Sequence, residues 1–188
     1  MAHGHDDKNN SVIRIAMNLA LTCFISGVII AGTFAITEPA AEAQRIKAKN
    51  DAMRELVKDA DSFKAIDGKD GWYAGIKGGK AIAYVVPAQG KGYAGVIQML
   101  AAVAPDGKIL DYKVLKHAET PGLGDKMTEP KFRNQFAGKT AKDMEVVKVP
   151  TDKNIQALTG ATITSRAVTN GVREAAEAVA AYSAGQKK

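Results

Sequence analysis

The chain has 188 residues, 46% of them hydrophobic, 24% charged and 6% aromatic, with a formal net charge of +6, a length that predicts one domain of ordinary size plus an anchor rather than two domains. Its one cysteine, Cys23, excludes an internal disulfide framework and any multi-cysteine iron–sulfur or zinc site. The lysines Lys77, Lys80, Lys91, Lys108, Lys113 and Lys116 recur singly, without the aromatic-interleaved cluster of a nucleic-acid surface, so no nucleic-acid partner is expected.

From Ile15 to Thr37 no residue is charged, and the run is mostly apolar. A helix of this length crosses a hydrocarbon core of about 30 Å with some tilt to spare. The hydroxyls of Thr22, Ser26 and Thr33 can bond back to their own helix, and Asn18 lies near one end. Arg14 before the run and Thr33-Phe34-Ala35 near its end also fit a cleaved signal peptide. Such apolar cores are only about 7–15 residues long, however, so the length favours an uncleaved transmembrane helix. We place that helix at 12–37, after a tail at 1–11 that carries His3 and His5. Lys8 and Arg14 precede the span, while Arg45, Lys47 and Lys49 follow it. The count favours a cytoplasmic C-terminal domain by a single charge, a margin that decides nothing because long domains translocate regardless of loop charge.

After Pro39, the stretch 40–60 reads as a helix within a linker at 38–62. Ile46, Met53, Leu56, Val57 and Ala60 form its apolar stripe, and Lys47, Lys49, Asn50 and Arg54 its polar face. A domain at 63–183 and a tail at 184–188 complete the organisation. Asp67-Gly68 and Asp70-Gly71 mark turns. A β meander follows, with short runs at 72–77, 81–86 and 93–103 bounded by Gly, Pro and Gln. The last of these is apolar on both faces, as a central strand would be. Ala104-Pro105-Asp106-Gly107 predicts a hairpin turn. Beyond it 108–117 alternates, with Leu110, Tyr112 and Val114 on one face and Asp111 and Lys113 on the other. Thr128 is placed to cap a short helix carrying Phe132 and Phe136 one turn apart. A final helix is expected from about Ser165 to Tyr182, its apolar stripe made by Val168, Val172, Ala175, Val179 and Tyr182. The fold class is therefore α+β: one N-terminal transmembrane helix, then a small domain with a mainly antiparallel sheet and flanking helices.

Two segments carry more than structure. Leu158-Thr-Gly-Ala-Thr-Ile-Thr-Ser165 sets hydroxyls around Gly160-Ala161, where the chain enters a helix N-terminus. Unpaired amides and the positive end of the helix dipole suit an anion there. Thr162 and Thr164 would face one ligand while Ile163 points inward. The plainer alternative is helix capping by Thr164 or Ser165. His117-Ala-Glu-Thr-Pro-Gly-Leu-Gly124 is the second segment. Pro121, Gly122 and Gly124 permit an unusual backbone path with exposed amides. Glu119 and Thr120 offer an acceptor and a hydroxyl, and Leu123 an apolar surface for a flat ring. The segment fits neither the dinucleotide fingerprint nor the P-loop.

The pair HAETPGLG and TGATITS, in this order around a short helix, resembles the FMN-binding domain shared by two membrane complexes. These are the G subunit of the Rnf ferredoxin:NAD+ oxidoreductase and the C subunit of the Na+-translocating NADH:quinone oxidoreductase. Tyr93-Ala-Gly95 before an apolar strand matches a third, weaker signature of that family, and the likeness covers roughly residues 12–182. The family's attachment pattern, Ser/Thr-Gly-Ala-Thr/Ser, any residue, then Thr, falls on Thr159–Thr164.

The resemblance implies that a separate flavin transferase, using FAD and magnesium, joins FMN covalently to the Thr164 hydroxyl as a phosphodiester. The expected cofactor-binding set is Thr164, Thr162, Ser165, Gly160, Ala161, Glu119, Thr120, Gly122, Leu123 and Tyr93, with no catalytic residue and no metal ligand. It further implies an electron-transfer subunit of an ion-translocating oxidoreductase, coupling electron flow to Na+ or H+ transport without substrate turnover of its own. The expected partners are the integral membrane and iron–sulfur/flavin subunits of that complex, the transferase and membrane lipid. The expected location is the inner (plasma) membrane of a bacterium or archaeon, single-pass, with the domain on the periplasmic or outer side, against the charge count. The chain's shortness is closer to the Rnf subunit. The alternatives are a C-type quinone-reductase subunit or another anchored flavin carrier and, from another class, a non-redox anchored module. His117 borders the flavin loop as a positioning hydrogen-bonder, and no nucleophile–base pattern points to hydrolysis.

Overall fold

A computed structural model of the chain describes residues 6–186. His3 and His5 lie outside them, as do the last two residues of the expected tail. The chain divides between Lys47 and Ala48 into two compact units.

The first unit is helical. Helix α1 runs Asp6–Leu56 without a break, Pro39 included. A proline removes one helical N–H bond, and here the remaining ladder carries the helix past it. The expected boundary at 37/38 is thus not a backbone break, and the helix stops at Leu56 rather than Ala60. The side chains of its apolar part are exposed among the described residues: Phe24, Ile30 and Ile36 are 69%, 69% and 80% exposed. Cys23 lies on this exposed surface rather than in a core. Ile46, expected on the linker's apolar stripe, is also exposed. Among the described residues this is the one helix long and apolar enough to cross a membrane. Of the hydroxyls expected to bond back to the helix, Thr22 donates to the Leu19 carbonyl at 2.9 Å and Thr33 to that of Ile29 at 2.8 Å, whereas Ser26 makes no such bond among the described residues.

The second unit is built on a five-stranded antiparallel meander in the order β1-β2-β3-β4-β5. The strands are β1 (Ser62–Ala65), β2 (Tyr73–Lys77), β3 (Lys80–Lys91), β4 (Val96–Val103) and β5 (Ile109–Lys116). β1 is an edge strand of four residues whose sequence, SFKA, is too short to show a period. β3 runs on through Pro87, which lies beyond its last β2 partner, Val85 opposite Tyr73. An edge position on that side is where a strand tolerates proline. The Ala104–Gly107 turn forms as expected, with Gly107 at φ 87° and its amide bonded to Ala104 O at 2.9 Å.

β4 is buried on both faces. Met99, Ala101 and Val103 join one core with Tyr112, Phe132, Phe136 and the stripe of α3 (Thr162–Gln186). Leu100 and Ala102 join a second, smaller core with Ala52, Met53 and Leu56 from the end of α1 and Val57 just after it. Leu110 does not share a face with Tyr112: it is 39% exposed, while Ile109 is fully buried. The cause is a β-bulge, because Ala102 pairs with Asp111 but Val103 with Ile109. The extra residue interrupts the alternation that a strict period of two requires.

Glycines let α3 lie directly on β3. A Cβ built at Gly90 would meet the Ala167 carbonyl oxygen at 2.1 Å, and one at Gly171 would meet the Gln89 oxygen at 2.6 Å. Only a residue without a side chain permits backbone on backbone at that separation. Helix α2 is a single turn, Pro130–Arg133, entered by proline at its first position. Thr128 does not cap it. Its hydroxyl donates to Asp125 O at 2.8 Å, closing a 3-10 turn over Gly124–Thr128. The buried Tyr112 hydroxyl donates to the Met127 carbonyl and so pins that turn to the sheet. Burial drives the Tyr112 pKa far above its ordinary value, which keeps the donor proton in place.

Candidate functional site

Three chain segments distant in sequence meet at one end of the sheet. They are the β3–β4 turn around Gly92–Gly95, the loop after β5 from His117 to Gly124, and the start of α3 from Gly160 to Thr164. One carboxylate joins all three. Glu119 is 5% exposed, its Oε1 accepts the Ala94 amide at 2.9 Å and its Oε2 accepts the Thr164 hydroxyl.

Burial alone would push the Glu119 carboxyl up. The Thr164 hydroxyl and the Ala94 and Tyr93 amides outweigh it, so the group sits below the usual glutamate range. His117 positions the loop, its Nδ1 accepting the Glu119 amide at 3.2 Å. The carboxylate fits because two glycines leave it space. A Cβ at Gly92 would lie 2.5 Å from Oε1, and one at Gly124 would lie 2.9 Å from both Oε2 and Thr164 Oγ1. Gly92 and the Ala94 amide are functional positions that sequence reasoning missed, and Gly124 stands out in the sequence for its backbone path rather than for the space it leaves. The only signal was a glycine where no turn needs one: Gly124 lacks the positive φ that Gly122 has at 76°.

The start of α3 differs from the expectation in register. The helix begins at Thr162, so Thr162–Ser165 form its first turn. Successive side chains then fan out by helical rotation instead of alternating. Ile163 accordingly points outward, 53% exposed, and Thr164 inward, 1% exposed. Neither Thr164 nor Ser165 is the cap. Ser165 Oγ donates to Ala161 O at 2.9 Å and accepts the Leu158 amide at 2.9 Å, which fastens the approach to the helix. The first helical bond here runs from the Ser165 amide to Ala161 O at 3.0 Å. The amides of Thr162, Ile163 and Thr164 precede it, the orphan donors of a helix N-terminus.

Above the Thr164 hydroxyl opens a cleft of about 520 Å³. Small-molecule sites generally fall in the range of about 300–1,000 Å³. Its walls carry Tyr93, Glu119, Thr120, Leu123, Gly160, Ala161, Thr162 and Thr164 from the expected set, together with Gly124 and Ile163. Ser165 lies behind the wall, and Gly122 faces open space at the loop tip. Tyr93 at 73% and Leu123 at 43% exposure give the cleft an apolar rim. Gly160, at φ 79°, turns the chain under Leu123, whose Cδ2 would lie 3.1 Å from a Cβ there. A flavin phosphate fits this donor set: a hydroxyl at the floor, orphan amides beside it and apolar surface above. No group of acidic, cysteine or histidine side chains fit to hold a metal occurs among the described residues.

Residues 92–177 match the FMN-binding domain family, a span that contains all three converging segments. Over 182 residues the chain is 52% identical to the G subunit of the proton-translocating ferredoxin:NAD+ oxidoreductase complex of Clostridium ljungdahlii, covering 96% of this chain and 98% of that one. The chain belongs to the G-subunit family of these ion-translocating complexes. A second family member, the G subunit of the Na+-translocating ferredoxin:NAD+ oxidoreductase complex of Acetobacterium woodii, is 32% identical over 85% of this chain and 89% of that one. Among solved structures, NqrC of Shewanella oneidensis aligns with a TM-score of 0.48 at 26% identity, over 62% of this chain and 65% of that chain.

Proposed function

We propose that this G-family chain is the flavin-bearing electron-transfer subunit of a membrane-bound ferredoxin:NAD+ oxidoreductase, with FMN joined through its phosphate to Thr164 Oγ. The observation that carries the reading is the position of that hydroxyl. It forms the floor of a ligand-sized cleft, on the first turn of a long helix, within the span matching an FMN-binding domain.

Bound FMN supplies one- and two-electron transfer through its ring. The chain supplies position. The orphan amides at Thr162 and Ile163 face the phosphate, and Thr162 adds a hydroxyl. Leu123, Tyr93 and Ile163 offer apolar surface to the ring, and Thr120 a polar edge. Ser165 acts from behind by holding the helix start. A covalent tether keeps the flavin at high local concentration, which suits a relay that never releases its cofactor.

The subunit turns over no substrate alone and works with the integral membrane and iron–sulfur/flavin subunits of its complex, whose electron flow drives Na+ or H+ across the membrane. The relatives named above differ in that ion, proton in one and sodium in the other. Segment 12–37 anchors the chain in the lipid of the inner membrane in a single pass, with the domain on the periplasmic or outer side. A separate transferase, supplied with FAD and magnesium, loads the flavin.

Flavin fluorescence of the denatured band, with intact mass from the same sample, tests the attachment on protein co-expressed with the transferase. The expected result is a fluorescent band heavier by one FMN less one water, absent in Thr164→Val. A dark band of unmodified mass, with the transferase active on another target, would overturn the reading.

A further inference from the structure

The Thr164–Glu119 pair is more than a flavin bed needs. Both groups are almost fully buried, and the hydroxyl donates its one proton to the carboxylate. Among the described residues no lysine or arginine pairs with Glu119. A buried carboxylate without such a countercharge costs free energy, and a neutral glutamine would serve mere packing better. The surroundings nevertheless keep it ionised and aimed. The Ala94 amide fixes Oε1, and the missing side chains at Gly92 and Gly124 leave room for both oxygens. A Cβ at Gly124 in particular would crowd both members of the pair, so its absence leaves acid and hydroxyl room to meet.

Building on the proposed attachment at Thr164, we infer that Glu119 is the general base that takes the Thr164 proton when the flavin is attached. In that step Thr164 Oγ attacks the FMN-side phosphorus of FAD. The Oγ–P bond forms and the bridging P–O bond to the AMP half breaks, AMP leaving with the electron pair. The Oγ proton passes to Glu119 Oε2 and from there to solvent. Threonine and FAD thus give the threonyl phosphodiester, AMP and a proton, with no change of oxidation state.

Phosphoryl transfer through a loose transition state needs an oriented hydroxyl and a carboxylate that accepts its proton late, the role an aspartate plays in protein kinases. The low proton affinity of Glu119 suits a late acceptor that must stay ionised beforehand. The carrier would then contribute part of the catalytic machinery for its own modification, while the transferase contributes FAD and magnesium. Once Oγ is esterified the pair cannot re-form, because the oxygen has no proton to donate.

The test follows intact mass against time for full-length wild type, Glu119→Gln and Thr164→Val, with purified transferase, FAD and Mg2+, across a range of carrier concentrations. For E119Q the expected result is a kcat lower by about 10²–10⁴-fold, with KM within roughly threefold of wild type and an unchanged circular dichroism spectrum. A kcat within roughly threefold of wild type, or a loss confined to KM, would overturn the inference and make Glu119 a packing or docking residue. Should E119Q not fold, Glu119→Asp decides: it keeps the charge but draws the oxygen back, so a kcat drop of about tenfold or more is expected and an unchanged kcat overturns. Wild type that gains no mass, or T164V that does, removes the attachment reading and this inference with it. Wild type labelled at Thr164 beside an equally fast E119Q removes the base alone.

Discussion

On α1 the hydroxyls of Thr22, Thr33 and Thr37 close on carbonyls of their own helix, at 2.9, 2.8 and 2.8 Å; on α3 Thr164 turns away from its helix and donates to a carboxylate 45 positions earlier in the chain. The difference is not one of residue type, since Thr169, deeper in α3, also bonds its own helix at Ser165 O. It is one of surroundings. A helix written for lipid has no outside partner and must satisfy its polar groups internally. A helix docked by one stripe can turn its first residues toward a ligand. The glycines divide in the same way. At Gly27 and Gly32 of α1 an added Cβ meets nothing within 4 Å, whereas at Gly171 of α3 it meets strand backbone.

Removing one hydroxyl from each helix tests this contrast most directly. Thr164→Val is expected to abolish the covalent flavin band, and Thr33→Val to leave its intensity unchanged, both read by in-gel fluorescence. Next in size, an arginine in the middle of the apolar segment, Val28→Arg, disfavours membrane insertion by about 2.5–3.5 kcal/mol and shifts protein out of the membrane fraction. Asn170→Arg, on the exposed side of α3, changes domain stability by less than about 0.5 kcal/mol in denaturant melts.

Effects on stability also separate the glycines. Gly90→Ala or Gly171→Ala forces helix and strand apart and is expected to cost about 1–3 kcal/mol of domain stability. Gly27→Ala costs nothing in packing and gains up to about 1 kcal/mol of helix propensity. The smallest effect is one of pH. Because the Glu119 pKa is lowered in the folded state, its contribution is complete above the ordinary glutamate value of 4.5 and disappears as pH falls through the lower folded value. Glu55, Asp106 and Asp143 are shifted in the same direction. Acid melts of Glu119→Gln should therefore show a shallower loss of stability below pH 4.5 than wild type, but not a flat one.

Some of the fold is legible at once and some of it is not, for reasons visible in particular residues. The apolar run, the Ala104–Gly107 turn and the α3 stripe depend on local periodicity and turn chemistry, and they stand where the sequence puts them. Leu110 is misplaced by alternation because a bulge opposite Val103 is a property of two strands in register, and neither strand announces it alone. β1 escapes notice because four edge residues carry no readable period. In the site, TGATITS and HAETPGLG draw attention by composition, yet alternation puts Ile163 inside where helical rotation puts it outside.

Composition and spacing within a few turns of chain suffice to place an uncharged apolar segment before a small α+β domain and to gather hydroxyls at a helix start. They do not say that Glu119 faces Thr164, that Gly92 and Gly124 make room for it, or that Gly90 and Gly171 let α3 rest on β3; folding in three dimensions settles those. Each is a contact between residues far apart in the chain, set by how closely backbones approach after folding, and no local pattern encodes that distance.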